Sequence, residues 1–404
     1  MAVTFALIKE RKSPPDRRVV FSPETCREVL RRFPHVNIIV ESSDIRIFPD
    51  EEYRKAGIEV LDDISHADVM LGVKEVSVEN LISKKQYFFF SHTIKEQPYN
   101  RDLLQSILRK KIELIDHETI VNERNRRLVG FGYYAGVVGA YNGFRMLGFR
   151  DNLFSLPKME MLPDLKTAKK EMNKISLPKM KMILSGTGKV TQGAKEILDH
   201  LKVIRVNVED YLTKEFDSAV YCMIGVEDYN RRKDGWEFDK ADFYANPEKY
   251  ESDFMRFAKV SDMFISGHFY GAGAPYLFTR EDVRHPDFKI SLVADVSCDI
   301  DGPVACTIRP STIADPFYGY DPETESEVAY NTPGAIAVMA VDNLPCELPR
   351  DASEGFGRMF MEHVLPAFFN DDKDEILTRG RITDSKGMLT NRFGYLNDYV
   401  NQPV

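Results

Sequence analysis

Short apolar runs alternate with amphipathic stretches along most of this chain, and this alternation constrains the fold more than any other feature of the sequence. Helical spacing in Pro23–Phe33 and Arg101–Arg109 separates some of the runs. The first series comprises Val3–Ile8, Val36–Val40, Val69–Val73, Tyr87–Phe90 and Ile112–Ile115. Strands that alternate with helices connect in parallel through crossovers, so the pattern predicts a parallel α/β sheet.

A second series of the same kind begins near residue 180. Before it, the Gly-rich stretch 129–148 predicts a closely packed connecting helix, and within it residues 227–258 predict an insertion with one helix around Tyr250–Phe257. The apolar runs of this series are Met180–Leu184, Val203–Val208, Ser218–Cys222, Met263–Ile265 and Leu292–Val296. After residue 330 we expect Ala335–Val341, a helix over Ala352–Phe368 and a charged helix around Asp371–Gly380.

Two such series in 404 residues exceed one simple core. We predict an α/β fold with two Rossmann-like domains, each built on a parallel sheet, around a cleft. The first domain is expected to be discontinuous, with residues 1–130 plus 335–404. The second is expected to span residues 131–334 and to carry the insertion near 227–258.

Charge and composition exclude several classes of protein. The formal net charge of −9 argues against nucleic acid or an anionic membrane as the main partner. The apolar run at the N-terminus is too short for a signal peptide, and the long uncharged run Val129–Phe144 falls short of the ~20 residues that a spanning helix needs. Five scattered cysteines without a CxxC pair indicate free thiols, a cytoplasmic location and no metal site. The composition excludes neither a monomer nor a homo-oligomer.

A lysine and a histidine follow two neighbouring apolar runs. Lys74 comes directly after Val69–Val73, and His92 follows Tyr87–Phe90. If these runs are adjacent parallel strands, both side chains emerge at the carboxyl edge of one sheet, where open α/β sheets bind ligands. Together they would supply a cation and a proton carrier near neutral pH. The alternative is a solvated lysine and a capping histidine.

The segment from Ile183 to Ala194 has the form of a strand, a glycine turn and a helix start. Gly186 would allow the tight turn, and Gly188 would let a pyrophosphate approach the backbone at the helix N-terminus. Thr191 occupies the place of the usual third glycine, and Gly193 is displaced from it. The pattern predicts a dinucleotide site, and a glycine-rich turn without function is the alternative.

The cofactor's ribose should be contacted about twenty residues further on. Depending on the alignment, either Asn207 or Glu209 occupies this position. An acid there would favour NAD, whereas Asn207 tolerates a 2′-phosphate, with which Arg205 or Lys202 could pair. We expect NADP or NAD as the cofactor, with a slight preference for NADP.

Three further positions are candidates for ligand contacts. Arg18 lies in the basic stretch Glu10–Val19, where its guanidinium could grip a carboxylate through two hydrogen bonds, although a solvated basic loop has the same composition. Glu118 and the pair Arg126–Arg127 leave the same two interpretations open. Asp295 ends an apolar run and would face the cleft, where it could orient a catalytic side chain or contact the nicotinamide side. An ordinary strand-end aspartate is its alternative.

Taken together and in this order, these segments resemble the lysine–2-oxoglutarate reductase domain, the lysine-forming saccharopine dehydrogenase, of the alanine dehydrogenase and transhydrogenase superfamily. The resemblance covers nearly the whole chain. The most specific of its matching segments is Val341–Ser353, which is long and unusual in composition. The other matching segments are Leu71–Val76, Phe89–Lys95, Gln97–Asn100, Phe131–Gly136, Gly186–Ala194 and Phe238–Ser252.

The resemblance implies a role for each candidate residue. Lys74 and His92 match the family's catalytic dyad, Arg18 its carboxylate-binding arginine, and Glu75 and Glu118 acids that line the same pocket. The first domain would bind substrate and perform catalysis, and the second would bind the dinucleotide. The implied cofactor contacts are Gly186, Thr187, Gly188, Lys189, Val190, Asp295, Val296 and Ser297, and Asn207 is added to them by its spacing from the glycine turn.

The implied activity is the NAD(P)-dependent reductive condensation of L-lysine with 2-oxoglutarate to saccharopine, or its reverse, with small molecules as the partners. One rival is an alanine-dehydrogenase-like amino-acid dehydrogenase, and another is a non-catalytic NAD(P)-binding regulatory protein. We expect the chain to lack the second dehydrogenase domain of the bifunctional enzymes. The segment Asp299–Cys306 departs from the Ala-Asp-x-Gly-Gly-Ser pattern of those enzymes, which puts the substrate in doubt more than the reaction type.

Overall fold

The computed structural model describes residues 2–402 and divides the chain into two compact units. The first unit contains the chain up to Phe131 together with the segment from Pro349 onward, and the second contains Gly132–Leu348. The first unit is therefore discontinuous. The chain returns to it at 348/349 rather than at the expected 334/335, because Ile336–Met339 forms a strand in the sheet of the second unit.

Strands and helices are numbered separately, each in chain order. The strands are β1 (Val3–Leu7), β2 (Val36–Glu41), β3 (Glu59–Leu61), β4 (Val69–Leu71), β5 (Gln86–Phe89), β6 (Glu113–Asp116), β7 (Lys181–Ser185), β8 (Ile204–Arg205), β9 (Val220–Ile224), β10 (Asn230–Arg232), β11 (Tyr250–Ser252), β12 (Met263–Ser266), β13 (Leu292–Asp295), β14 (Phe317–Asp321), β15 (Ser326–Val328) and β16 (Ile336–Met339). The helices are α1 (Pro23–Arg32), α2 (Asp50–Lys55), α3 (Arg101–Arg109), α4 (Gly132–Arg150), α5 (Leu165–Met172), α6 (Lys189–His200), α7 (Val208–Thr213), α8 (Val226–Tyr229), α9 (Lys240–Ala245), α10 (Met255–Ala258), α11 (Arg280–Val283), α12 (Pro349–His363), α13 (Ile376–Gly380) and α14 (Asn397–Asn401). None of the helices within residues 2–402 has the length and apolar character that crossing a membrane requires.

The sheet of the first unit has six strands in the order β3-β2-β1-β4-β5-β6, and every neighbouring pair is parallel. The parallel sheet predicted for this half is confirmed. Aromatic rings from the late segment cover one face of the sheet: Phe368 packs edge-on against Phe5 with ring centroids 5.0 Å apart, and Phe360 packs against Phe88 at 5.4 Å. The residues after 349 therefore complete the core that the first 131 residues begin.

The second unit has an eight-stranded sheet in the order β15-β14-β16-β13-β12-β7-β9-β8. Its strands pair in parallel except at one edge, where β14 runs antiparallel to both β16 and β15. The inserted segment contains a separate antiparallel pair, β10 and β11. The helix expected around Tyr250–Phe257 is therefore wrong in its first part, since Tyr250–Ser252 is a strand, and only Met255–Ala258 is helical.

Helices α4 and α6 cross at two glycines. A Cβ on Gly136 of α4 would lie 1.8 Å from the carbonyl oxygen of Val190, and a Cβ on Gly193 of α6 would lie 1.8 Å from that of Tyr133. Neither backbone could approach so closely if either position carried a side chain. The glycine displaced from the usual dinucleotide pattern thus has a packing role. Helix α4 belongs to the second unit and packs against α6, which begins directly after the glycine turn.

Substituting alanine at this crossing should destabilise the protein. Gly193→Ala inserts a methyl group against backbone that cannot rotate away, which we expect to lower the free energy of unfolding by at least ~1–3 kcal/mol. The melting temperature, followed by circular dichroism, measures the effect. The matched control is Gly394→Ala, where the new Cβ would meet nothing within 4 Å. Equal melting of Gly193→Ala and wild type would contradict the close crossing.

Candidate functional site

Lys74 and His92 follow adjacent parallel strands, as predicted. Residue Leu71 of β4 is paired with Phe88 of β5. The pairing continues beyond the strand ends, because the Gly72 amide donates to the Phe88 carbonyl (2.8 Å) and the Phe90 amide donates to the Val73 carbonyl (3.0 Å). Lys74 and His92 therefore emerge side by side at the carboxyl edge of the sheet, where open α/β sheets bind ligands. Both are partly exposed.

The direct partner of His92 is Glu75. Nδ1 of His92 lies 2.6 Å from Oε1 of Glu75, and Nζ of Lys12 donates to Oε2 of the same carboxylate at 2.8 Å. Burial acts to raise the pKa of Glu75, but the hydrogen bonds from His92 and Lys12 outweigh burial and lower the pKa to about 2. An ionised carboxylate can only accept, so Nδ1 carries a hydrogen and Nε2 is the nitrogen left to exchange a proton.

The backbone at His92 supports this orientation. Its φ of 54° and ψ of 10° lie in the left-handed region, which is uncommon for a residue with a Cβ. The preceding residue is anchored, since the backbone amide of Ser91 donates to the buried carboxylate of Asp116 at 2.7 Å. The conformation therefore fixes the imidazole on the Glu75 side of the turn.

Glu10 is a site residue that the sequence did not single out. It follows β1 and is buried, and its two carboxylate oxygens accept the amides of Val73 (2.6 Å) and Lys74 (3.0 Å). Burial and the nearby Asp16 raise its pKa to about 8, against the opposing effect of those amides and of Arg18. Glu10 thus fastens the turn that presents Lys74 to the end of β1.

Arg18 is also buried, but its guanidinium is engaged within the protein. Its Nε and Nη2 donate to the two carboxylate oxygens of Asp16, at 3.0 and 2.6 Å, and its Cζ lies 4.1 Å from the centroid of the Phe131 ring. Although burial opposes ionisation of Asp16, the charge and hydrogen bonds of Arg18 hold its pKa below the ordinary value. The guanidinium thus binds the carboxylate of Asp16 through two hydrogen bonds, and its contact with a substrate carboxylate stays a prediction.

The region of Glu118 contains more buried polar groups. Oε1 of Glu118 accepts from Nη2 of Arg127 at 2.8 Å, whereas its buried Oε2 has no hydrogen-bond partner among the described residues. Next to it, His117 is fully buried, and its Nε2 lies 2.9 Å from the Gly72 carbonyl, to which it donates. Burial lowers the pKa of His117 to about 4, so this histidine is neutral. It supports the Lys74 turn and is no proton carrier.

The glycine turn of the second unit has the geometry that a dinucleotide requires. Gly186 has a φ of +92°, and a Cβ there would lie 2.5 Å from the Gly267 carbonyl oxygen. A Cβ on Gly188 would meet nothing within 4 Å, and Thr187, Gly188 and Lys189 are exposed. Gly188 is the N-cap of α6, and glycine has no side chain that could cover the first amides of the helix. A pyrophosphate therefore fits this turn.

Asn207 occupies a different setting from the one expected. Its Oδ1 accepts the amide of Asp210 at 2.8 Å and so caps α7. It follows β8, which lies at the edge of the sheet and pairs with β9 rather than with β7. The rule that counts about twenty residues from the glycine turn assumes that the next strand is the neighbouring strand, and in this sheet it is not.

Asp295 is a structural aspartate at the end of β13. It is fully buried; Oδ1 accepts the amide of Ser297 (3.1 Å) and the hydroxyl groups of Ser266 and Ser297, and Oδ2 accepts the hydroxyl of Thr307 (2.6 Å). Protein donors contact both oxygens, and a contact of Asp295 with the cofactor stays a prediction. Val296 packs over Gly139 of α4, where a Cβ would lie 2.4 Å from Cγ2 of Val296. Ser297 is held in place by the same carboxylate.

Comparison with known proteins assigns the first third of the chain. Residues 6–138 match the family model "Alanine dehydrogenase/PNT, N-terminal domain". The resemblance inferred from the sequence is thereby confirmed at the level of the superfamily.

Relatives and solved structures extend the similarity over the whole chain. The alpha-aminoadipic semialdehyde synthase of Bos taurus is 30% identical over 97% of this chain and 47% of the relative, so the chain spans about half the length of such relatives. The saccharopine dehydrogenase [NAD(+), L-lysine-forming] of Neurospora crassa is 26% identical over 90% of this chain and 91% of its own length. An L-alanine dehydrogenase structure has a TM-score of 0.65 at 16% identity, over 98% of this chain and 99% of that one. A transhydrogenase from Sinorhizobium meliloti has a TM-score of 0.56 at 16% identity, over 96% of this chain and all of that one. The two structures support the two-unit α/β fold.

The raised pKa of Glu10 predicts a specific dependence of stability on pH. Between about pH 4.5, its ordinary pKa, and about pH 8, folded Glu10 keeps a proton that the unfolded chain has released, so its contribution to the free energy of unfolding falls as pH rises. Glu10→Gln has no such proton. Relative to wild type, the variant should gain stability from pH 5 to pH 8 in urea unfolding.

The comparison at each pH removes the effect of other titrating groups. Glu347, for example, whose pKa burial raises to about 7, is present in both proteins. A difference in unfolding free energy that stays constant from pH 5 to pH 8 would show that Glu10 is ionised in the folded protein.

Proposed function

We propose that this chain is an NAD(P)-dependent oxidoreductase that acts on CH–NH bonds and condenses L-lysine with 2-oxoglutarate to saccharopine, or catalyses the reverse reaction. The observation that carries the proposal is the cluster at the carboxyl edge of the first sheet, where Glu75 joins His92 to Lys12 beside Lys74. Similarity to saccharopine dehydrogenases over 90% of the chain supports the choice of substrates.

His92 is the proposed acid–base group. Formation of an imine from an amine and a ketone needs a base for the attacking amine and an acid for the departing water. Nδ1 is hydrogen-bonded to Glu75, so Nε2 would accept a proton from the attacking amine and pass it to the carbonyl oxygen. After taking up a second proton from solvent, Nε2 would donate it to the hydroxyl group, which leaves as water and yields a protonated imine. The ionised Glu75 stabilises the positive charge that His92 acquires whenever Nε2 carries a proton.

Lys74 would stabilise negative charge on the oxygen of the oxo acid during attack. Its backbone amide donates a hydrogen bond to Glu10, which restricts the positions that the side-chain ammonium can reach. Lys12 and the buried Arg18 add positive charge to the same edge, and substrates with several carboxylates need such a region. Arg18 would act mainly through its charge, because Asp16 already occupies two of its nitrogens. The buried Oε2 of Glu118 would accept a hydrogen bond from a substrate amine.

The second unit would hold NADP or NAD at residues 186–190. The amides at the start of α6 would bind the pyrophosphate, and Gly186 and Gly188 would allow its approach. A bound reduced nicotinamide would supply the hydride that reduces the protonated imine to a secondary amine. Val296 and Ser297 remain proposed contacts on the nicotinamide side.

An alanine-dehydrogenase-like reaction is the second candidate. The family model matched by residues 6–138 and the fold shared with an L-alanine dehydrogenase favour it. Oxidation of NAD(P)H with lysine plus 2-oxoglutarate, compared with ammonium plus pyruvate, separates the two activities. Tight binding of NAD(P)H without turnover on either pair would instead support a non-catalytic regulatory protein.

Substitution of either dyad residue should abolish most of the activity. His92→Gln and Lys74→Met are each expected to lower kcat by ~10²–10⁴-fold, the usual effect of removing an acid–base group or a charge that stabilises the transition state. Steady-state oxidation of NADPH or NADH with saturating lysine and 2-oxoglutarate measures kcat.

Two exposed residues of the same unit serve as matched controls. His66→Gln and Lys84→Met remove an imidazole and an ammonium that precede β4 and β5, at the opposite edge of the sheet from Lys74 and His92, and should leave kcat within twofold of wild type. Unchanged turnover in His92→Gln, with folding verified by circular dichroism, would disprove the assigned role.

A further inference from the structure

The neighbour of the glycine turn in the second sheet is β9. Ser185 of β7 is paired with Ile224 of β9, and the Gly186 amide donates to the Ile224 carbonyl at 2.8 Å. In dinucleotide-binding sheets the ribose next to the adenine is contacted from the end of the strand beside the glycine turn. In this protein that position falls just after β9, in the segment that starts at Gly225.

The groups that would favour a 2′-phosphate lie one strand further out. Arg205 ends β8, which has only two residues and borders β9 on the side away from β7. Strands are spaced by ~4.8 Å, so β8 runs about 10 Å from β7. Asn207, which follows β8, is occupied as the cap of α7. This geometry gives no support to the preference for NADP drawn from the sequence.

Glu227 occupies the space next to Gly225. A Cβ on Gly225 would lie 2.7 Å from the carboxylate of Glu227, so a side chain at residue 225 would displace it. The turn is fixed by Asp228, whose Oδ2 accepts the Gly225 amide at 2.7 Å. Glu227 itself is exposed, and its Oε2 lies 3.4 Å from Nζ of Lys240 on α9. The glycine thus makes room for a carboxylate that folds back over the end of β9.

We propose that the carboxylate of Glu227 accepts hydrogen bonds from the 2′- and 3′-hydroxyls of the adenosine ribose. This contact would make the protein selective for NAD(H) over NADP(H). This inference rests on the proposed function only in assuming that the glycine turn binds a dinucleotide. A carboxylate gains hydrogen bonds from a diol and repels a 2′-phosphate. Lys240 holds the carboxylate near the turn and belongs to the inserted segment, which gives the insertion a part in cofactor choice.

Direct binding tests the proposal without any substrate. The Kd values of NADH and NADPH are measured by titration calorimetry at one ionic strength, for wild type and for Glu227→Ala. Wild type should bind NADH at least tenfold more tightly, and Glu227→Ala should reduce that ratio by about tenfold, the effect of losing one charge-assisted hydrogen bond. The substituted side chain is exposed, so the fold should persist.

Two further variants make the outcome decisive. Glu209→Ala removes an exposed acid after β8 and should leave the ratio unchanged. Lys240→Ala should weaken the binding of NADH more than the binding of NADPH, because Lys240 orients Glu227. A wild type that prefers NADPH, or a ratio that shifts with Glu209 and not with Glu227, would overturn the inference and leave the proposed function standing. Binding of neither nucleotide would overturn both.

Discussion

The parallel pairing of β1, β4 and β5 is the constraint on which the first unit depends. In a parallel sheet the carboxyl ends of neighbouring strands lie at one edge, so the turns that carry Glu10, Lys74 and His92 have to be neighbours. Buried hydrogen bonds then make this arrangement specific. Glu10 binds the amides that precede and include Lys74, and Asp116 binds the residue before His92. A few carboxylates inside the protein thus position the groups proposed to act on substrate.

The second unit depends in the same way on close backbone approach. The crossing of α4 and α6 is possible because glycines face carbonyl oxygens at Gly136 and Gly193. That crossing fixes the first turn of α6, whose amides are the proposed anion site. Asp295 performs a related task for the ends of β12 and β13, where its buried side-chain oxygens accept hydrogen bonds from hydroxyl and amide donors.

Apolar patterning in the sequence predicts the strands that are buried on both faces. The runs that became β1, β4, β5, β7 and β13 were recognisable because both faces of a parallel strand are covered. β3 has three residues that are at least partly exposed and gives no such signal. Glu10 could not be identified from its neighbours, because a charged residue after a strand is usually solvated and its burial depends on Val73, more than sixty residues away. The order of the strands could not be predicted either, because spacing along the chain does not reveal that β9 lies between β7 and β8.

The discontinuity of the first unit also affects how the chain is made. Phe5, Phe21 and Phe88 are covered by Phe360 and Phe368, which the ribosome adds only after the entire second unit. During translation the second unit can complete its own core first. Until the late helices are synthesised, these aromatic rings of the first unit stay uncovered. Stalled nascent chains that end before Phe360 should therefore be engaged by chaperones or cut by protease within their first 131 residues, and become resistant there once the late helices emerge.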